Sequence, residues 1–198
     1  MSGGNGDTWV RYFAAAGDAP RDTLLRGLEL HEAEGRSPGR AVDLGCGAGR
    51  DTLELLRRGW RVLAVDAEPA AIELLLGRAD PGAALEHVVA RNGEVDLPQA
   101  DLVNASFSLP FCPPDEFERT WASIRGALRP GGRFCCQLFG ERDEWAPVAD
   151  MNFHSRQQVE LLLDGLVVER LDEVDAEGPT ALEGLKHWHL FHVVARRP

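Results

Sequence analysis

The stretch Ala41-Val42-Asp43-Leu44-Gly45-Cys46-Gly47-Ala48-Gly49-Arg50-Asp51 decides how the rest of the chain is read. A short apolar run leads into an acid and then into glycines at every second position. A helical pattern follows at once through Leu53, Leu55 and Leu56. The order is strand, tight turn, helix. Glycine permits a backbone reversal in which a Cβ would clash, and it leaves room for a ligand against the main chain. The helix opening beside Gly49 points free N–H groups and its positive dipole end at that space. The spacing is G-x-G-x-G, and Arg50 stands where the dinucleotide fingerprint G-x-G-x-x-G has its third glycine. A pyrophosphate would not favour a carboxylate as close as Asp43, whereas an ammonium would. The expected ligand is cationic at one end.

The chain has 198 residues, 44% of them hydrophobic, which suits one domain with a real core. No apolar run approaches the ~20 residues that span a bilayer. The first residues, Met-Ser-Gly-Gly-Asn-Gly-Asp, lack the basic and apolar regions of a signal peptide. The four cysteines are not spaced as a disulfide framework or a zinc site: Cys46 lies in the turn, Cys112 in a loop, and Cys135 and Cys136 are adjacent in a strand pattern. A reduced, cytoplasmic setting fits them. The net charge of −11, with scattered arginines, offers no basic patch for nucleic acid. Neither a membrane nor a metal is expected as partner, and the oligomeric state is open.

Outward from the turn, residues 1–8 are glycine-rich and expected to be mobile. Trp9, Tyr12 and Phe13 recur at helical spacing. Asp18 is placed to cap a second helix with Pro20 in its first turn and Leu24, Leu25 and Leu28 on its apolar face. After the turn, Gly59 stops the third helix. Trp60 to Asp66 reads as a strand apolar enough to be covered on both faces. Pro69 opens a helix to about Leu76, and Leu85–Ala90 and Asp101–Ser106 read as further strands. Pro113-Pro114 open a helix carrying Phe117, Trp121, Ile124 and Leu128; Pro130-Gly131-Gly132 turns it into a strand from Arg133 to Phe139. Ser155-x-x-Gln158 is a capping box for a last long helix. Strands near Leu166–Val174 and His187–Ala195 close the chain. The expected fold is α/β and doubly wound, a mostly parallel sheet with helices on both faces and an antiparallel final pair. Residues 1–198 form a single domain in this reading, with 1–36 a helical cap segment.

Asp43-Leu-Gly-Cys-Gly-Ala-Gly49 resembles the first motif of the class I S-adenosylmethionine-dependent methyltransferases. The fuller string Asp43 to Thr52, with Asn104-Ala-Ser-Phe-Ser-Leu-Pro-Phe111 and Lys186-His-Trp-His189, is similar to their small TehB-like branch. The resemblance runs from about Ala41 to Ala195 and implies a seven-stranded Rossmann-like sheet whose last strand is reversed. It implies S-adenosylmethionine as cofactor and methyl transfer to a small-molecule acceptor. Two other readings stay open: a non-catalytic S-adenosylmethionine-binding protein, and a nicotinamide-dependent oxidoreductase, against which the glycine spacing argues.

The resemblance assigns Gly45, Cys46, Gly47 and Gly49 to the cofactor turn, with Asp43 facing the methionine ammonium directly or through water. Asp66, at the carboxyl end of the second strand, takes the ribose hydroxyls, and Ala67 lies beside the adenine. An adenine contact is expected after the third strand, at Asn92 or alternatively Glu94 or Asp96. The backbone of Asn104 and Ala105 would hold the cofactor. Asp51 either favours its helix N-terminus or touches ligand, and Arg50 has no assigned role. Trp9, Tyr12, Phe107, Arg142, Trp145, His154, Lys186 and His187 are candidates for the acceptor pocket. His187 and His189 form at most a weak metal pair. No residue is assigned as catalyst: in-line displacement at a sulfonium needs alignment and a dry pocket more than a strong base.

Overall fold

The structure, a computed structural model, describes residues 6–15, 17–182 and 184–198. Residues 1–5, most of the start expected to be mobile, lie outside the described residues. Helices α1 (Gly6–Ala15) and α2 (Asp22–Ala33) precede the first strand. The elements then run β1 (Arg40–Leu44), α3 (Arg50–Arg57), β2 (Arg61–Asp66), α4 (Pro69–Arg78), β3 (Leu85–Val89), β4 (Ala100–Ala105), α5 (Pro114–Ala127) and β5 (Leu128–Gly140). A two-residue strand β6 (Phe153–His154), α6 (Arg156–Leu162) and the hairpin of β7 (Val167–Pro179) with β8 (Leu185–Arg196) complete the chain.

The sheet order is β3-β2-β1-β4-β5-β8-β7, with β6 pairing the end of β5. Every pairing among β1 to β6 is parallel, and β8 runs antiparallel to both β5 and β7. The expected doubly wound sheet with a reversed last strand is what forms. The order reverses direction between β1 and β4, so a crevice opens beyond their carboxyl ends.

Alternation along β1 and β4 sorts the side chains. Ala41 and Leu102 join Leu24, Leu28, Leu55 and Trp60 in a core on one face, under α2 and α3. Val42, Leu44, Val103 and Ala105 join Phe117, Trp121, Ile124 and Val159 on the other, under α5 and α6. Full burial of each large apolar side chain stabilises the fold by roughly 1.5–3 kcal/mol. The period-two pattern also dictates that Asp43 and Asn104 share the first face, where a polar pair must satisfy itself.

Several boundaries move for identifiable reasons. Asp18 does not cap α2: it bonds the Arg78 guanidinium at 2.6 Å, and α2 begins at Asp22 after Arg21. Arg21 makes no side-chain cap, and its own N–H donates to Asp51 Oδ1 at 2.9 Å. The Pro130-Gly131-Gly132 segment is not a loop outside the strand. It is an irregularity within β5, whose register against β4 jumps from Leu128 to Arg133. Ser155 and Gln158 do form the capping box, but α6 has seven residues and is not long. β7 absorbs most of the acidic connection that the sequence suggested between the last two strands. Between β3 and β4 the crossover carries only a 3-10 turn at Asn92–Glu94. Within the expected cap segment, α2 belongs to the layer on β5 and β8, whereas α1 lies against α4.

The end of β5 and the start of β8 pack with no space to spare. A Cβ at Gly140 would lie 2.0 Å from His189 Nδ1, and His189 is wholly buried. We expect Gly140→Ala to destabilise the protein by about 1–3 kcal/mol through overpacking. A thermal melt reads this as a clear fall in Tm against wild type.

Candidate active site

The glycine turn is tied to the end of β2. The N–H groups of Gly45 and Cys46 both donate to the Val65 carbonyl, at 2.8 and 3.0 Å, and the Gly47 N–H donates to Asp66 Oδ2 at 2.8 Å. Gly45 and Gly47 have φ of 66° and 53°, in the left-handed region. Bulk is excluded as well: a Cβ on Gly45 would meet Ser108 Cβ at 2.3 Å. Asp66 also accepts the Glu68 N–H at 2.9 Å and is nearly buried, which raises its pKa through desolvation. Ala67 follows it on the exposed rim.

Beneath the turn lies a buried polar cluster. Asp43 is 1% and Asp51 2% exposed. Thr52 Oγ1 donates to Asp43 Oδ2 at 2.5 Å. The Asn104 amide donates to Asp43 Oδ1 at 2.8 Å and to Asp51 Oδ2 at 3.0 Å, so one NH₂ group bridges two carboxylates. Burial first, then the neighbouring Asp51 charge, lifts the Asp43 pKa to about 7. With its side chain committed inward, Asn104 can present only backbone to the crevice, and the same holds for Ala105 beside it. Asn92 sits half-buried in the 3-10 turn after β3. There Glu94 bonds the Arg91 N–H at 3.2 Å.

Over the crevice, α1 supplies a roof. A Cβ on Gly47 would touch the Phe13 ring at 3.0 Å, so Phe13 covers the turn directly. Trp9 packs edge-on against Phe111, with ring centroids 5.4 Å apart. Tyr12 Oη accepts from the Arg21 guanidinium at 3.3 Å, and that guanidinium lies 4.5 Å above the Phe107 ring. Phe107 has φ 52°, a left-handed conformation costing a non-glycine residue about 1–2 kcal/mol. The Gln137 amide oxygen fixes it by accepting its N–H at 3.0 Å, and Gln137 in turn donates to Thr23 of α2 at 2.8 Å. Phe107, Phe111, Trp145 and Trp188 gather around Phe139 at the end of β5.

Lys186 is 3% exposed and paired with Asp143, which is also buried. Its ammonium lies 3.9 Å from the Trp145 ring centroid and 4.0 Å from that of Trp188, inside an aromatic box. Asp143 also accepts the N–H groups of Trp145 and His189, so it pins the loop after β5 to β8. Lys186 therefore borders the aromatic cluster as a strut.

Three candidates stand apart from this assembly. The Arg142 guanidinium is engaged by Glu173 and Asp175 of β7, at 2.9 and 2.8 Å. His187 bonds Asp175 at 2.7 Å on the same outer hairpin. His154 leans on Phe117, 4.9 Å between rings, on the α5 side, and burial lowers its pKa to about 4. His189 does not stand free as a metal ligand: its Nδ1 accepts the Arg142 N–H at 3.0 Å, so Nε2 carries the proton and donates to Glu173 at 2.9 Å.

Several residues at the site were not assigned from the sequence, Gln137, Thr52 and Asp143 among them. Asp51 emerges as part of the buried cluster. Arg21 and Phe13 come from segments with no motif. Arg50 has Nε and Nη1 buried with no hydrogen-bond partner among the described residues. Its place just after the last glycine is the one signal that pointed to it.

Residues 41–132 match the sequence model of a family described as a methyltransferase domain. The chain resembles that family over just under half of its length. It has the fold of the class I methyltransferases: TehB from Haemophilus influenzae superposes with a TM-score of 0.74 at 14% identity, over 87% of this chain and 62% of that one. A Burkholderia thailandensis 1,6-didemethyltoxoflavin-N1-methyltransferase, solved with 1,6-didemethyltoxoflavin and S-adenosylhomocysteine bound, has a TM-score of 0.63 and 25% identity over 89% of this chain and 78% of that one. A carboxy-S-adenosyl-L-methionine synthase from Citrifermentans bemidjiense is 31% identical over 120 residues, 57% of this chain and 48% of that protein. This chain spans about half the length of the relatives it matches by sequence. The family match ends at Gly132, and the aromatic cluster lies largely beyond it. No described helix is long and apolar enough to cross a membrane.

Two measurements test this geometry. Asp43 has a folded pKa above its unfolded value, so the folded state binds the extra proton between about pH 4 and 7 and Asp43 costs stability as pH rises through that window. The buried His154, with its pKa lowered to about 4, has the opposite sign and loses stability as pH falls below its unfolded value. Comparing Asp43→Asn with wild type isolates the first effect: the variant's Tm, relative to wild type, is expected to rise from pH 5 to pH 8. Separately, α1 occupies the space above the turn. Amide exchange over residues 8–15 should slow when S-adenosylhomocysteine is added; equal protection in both states would show that α1 is ordinary core packing.

Proposed function

We propose that this protein transfers a methyl group from S-adenosylmethionine to a small-molecule acceptor. The observation that carries the reading is the pairing of the glycine turn with Asp66 at the carboxyl ends of β1 and β2, above buried acids that suit a cation. The methyltransferase domain match and the neighbour solved with S-adenosylhomocysteine and a small heterocycle support it.

The residues fit the cofactor. Asp66 offers remaining lone pairs to the ribose hydroxyls, with Ala67 and Asn92 toward the adenine. Gly45, Cys46, Gly47 and Gly49 leave the backbone open, and Asn104 and Ala105 face it from β4. Asp43 and Asp51 supply negative charge beneath the ammonium, and the unpartnered Arg50 nitrogens suit the methionine carboxylate. When bound, the cofactor supplies a carbon already activated by the sulfonium. The chain's part is alignment and exclusion of water. The roof of Trp9, Tyr12 and Phe13 and the wall of Phe107, Phe111, Trp145 and Trp188 provide both. Lys186 holds that wall through Asp143. His154 and His187 are engaged elsewhere, so the acceptor would bring its own lone pair.

The acidic surface gives nucleic acid nothing to bind, and we place the protein in the cytoplasm with its thiols reduced. Asp66→Ala is expected to weaken S-adenosylhomocysteine binding about ten- to a hundredfold, since losing hydrogen bonds to a charged acceptor costs roughly 1.5–3 kcal/mol. Calorimetry on the folded variant reads this. Binding of NAD but not S-adenosylhomocysteine to wild type would turn the assignment to an oxidoreductase. Binding without turnover over a chemically broad acceptor panel would make it a cofactor-binding protein.

A further inference from the structure

Most arginines that reach into this fold are paired with acids, and Arg125 and Arg197, which are not, donate to backbone carbonyls instead. Arg133 is held by Glu34 and Glu169, and Arg58 by Glu54 and Glu32. The chain has 32 acids for 21 bases, so partners are plentiful. At the crevice the rule fails twice. Among the described residues neither Arg21 nor Arg50 has a carboxylate oxygen within 4.0 Å of its guanidinium. Each is half-buried, and they repel: the Arg21 charge adds to burial in lowering the Arg50 pKa. Two adjacent, partly desolvated cations without a counterion form a site that favours anions.

The two differ in what surrounds them. Arg50 opens α3 beside the glycines, at the cofactor's amino-acid end. Arg21 lies on the other side, with its guanidinium stacked on Phe107 at the end of β4 and bonded to Tyr12 Oη. Its backbone N–H is already fixed by Asp51, which sets where the side chain starts. From Phe107 the aromatic surface continues to Phe139 and Trp188, at centroid distances of 6.3 and 6.5 Å. A fork of N–H donors thus stands at one end of an apolar, ring-lined wall.

We infer that the methyl acceptor is a small carboxylic acid with a flat apolar body, its carboxylate held by Arg21 and Tyr12 and its body lying along Phe107. This rests on the cofactor reading above and adds the class of acceptor. One guanidinium fork matches one carboxylate. The other source of a carboxylate is the cofactor itself, and the experiment separates the two.

Benzoate, phenylacetate and their neutral amides are titrated into wild type loaded with S-adenosylhomocysteine, with inorganic phosphate as control. S-adenosylhomocysteine and methylthioadenosine, which lacks the amino-acid end, are titrated into wild type, Arg21→Met and Arg21→Lys. Expected is acid binding at least about tenfold tighter than amide binding, lost in Arg21→Met, with both nucleosides bound within about twofold of wild type. The Lys variant, which keeps the charge without the fork, should retain part of the acid affinity. Acids binding no better than amides, or phosphate binding in their place, would overturn the inference without needing any variant. So would a tenfold loss of S-adenosylhomocysteine with methylthioadenosine unchanged, which would assign Arg21 to the cofactor. If wild type binds neither nucleoside, the cofactor reading itself fails and the inference falls with it.

Discussion

The structure depends on a chain reversal with no room for side chains. Between β1 and α3 the backbone must pass under Phe13 and beside Ser108 while donating three N–H groups to the end of β2. Only glycine meets the steric and the torsional demand at Gly45 and Gly47. Once that turn forms, β1 and β2 are locked in parallel register, Asp66 is aimed into the crevice, and the first turn of α3 is set. The Asp43–Asn104–Asp51 cluster follows from the register. β1 and β4 pair with Asp43 opposite Asn104, and α3 brings Asp51 and Thr52 down on them.

Charge in this fold is arranged by layers of solvation. At the amino end of the sheet, acids and arginines neutralise each other: Arg133 joins α2 to β7 through Glu34 and Glu169. At the carboxyl end the opposite holds. Two buried acids share one amide, and two arginines have no carboxylate partner among the described residues. Such groups are costly to bury unpaired. Their confinement to one crevice leaves the acids and Arg50 to complement a ligand that carries both signs, with Arg21 set apart against Phe107. The amino-acid end of the proposed cofactor is of that kind.

The fold was largely legible because its signals are local. Period-two burial in β1 and β4, glycine stops and proline starts gave the order of strands and helices, and Gly59 and Ser155 act as read. What failed was local reasoning where a distant group intervenes. Asp18 looked like a cap, but Asp51, thirty positions away, fixes the N–H of Arg21. The Pro130-Gly131-Gly132 segment looked like a turn, but pairing with β4 carries the strand through it. At the site, Asp43, the glycines and Asp66 were readable because they lie in one motif and its next strand. Arg21 and Gln137 were not, since nothing in their own segments marks them; Phe13 shares helical spacing with Trp9 and Tyr12, but its place over the turn appears only when α1, α2 and β5 converge. Arg142 and His187 were misleading for the same reason: a loop position after β5 and a strand position in β8 said nothing of Glu173 and Asp175 on the strand beside them.

These observations bear on where the protein keeps its strain. Phe107 in a left-handed conformation, a carboxyl raised toward neutrality and the Arg50 guanidinium, with two buried nitrogens that have no partner among the described residues, all weaken the folded state. None of them belongs to the apolar clusters packed under α2, α3, α5 and α6. The core therefore holds the crevice in an arrangement that the crevice residues would not adopt alone. A ligand that brings an ammonium to the acids and a carboxylate to an arginine would satisfy these groups without rebuilding the sheet. Of the parts described, α1 is the one whose movement such binding requires, because Phe13 covers Gly47 where a bound molecule has to lie. Preorganisation of the turn thus rests on a hydrogen-bonded β1–β2 pair, whereas the roof is, among the described residues, joined to the body by aromatic contacts and the Tyr12 hydroxyl.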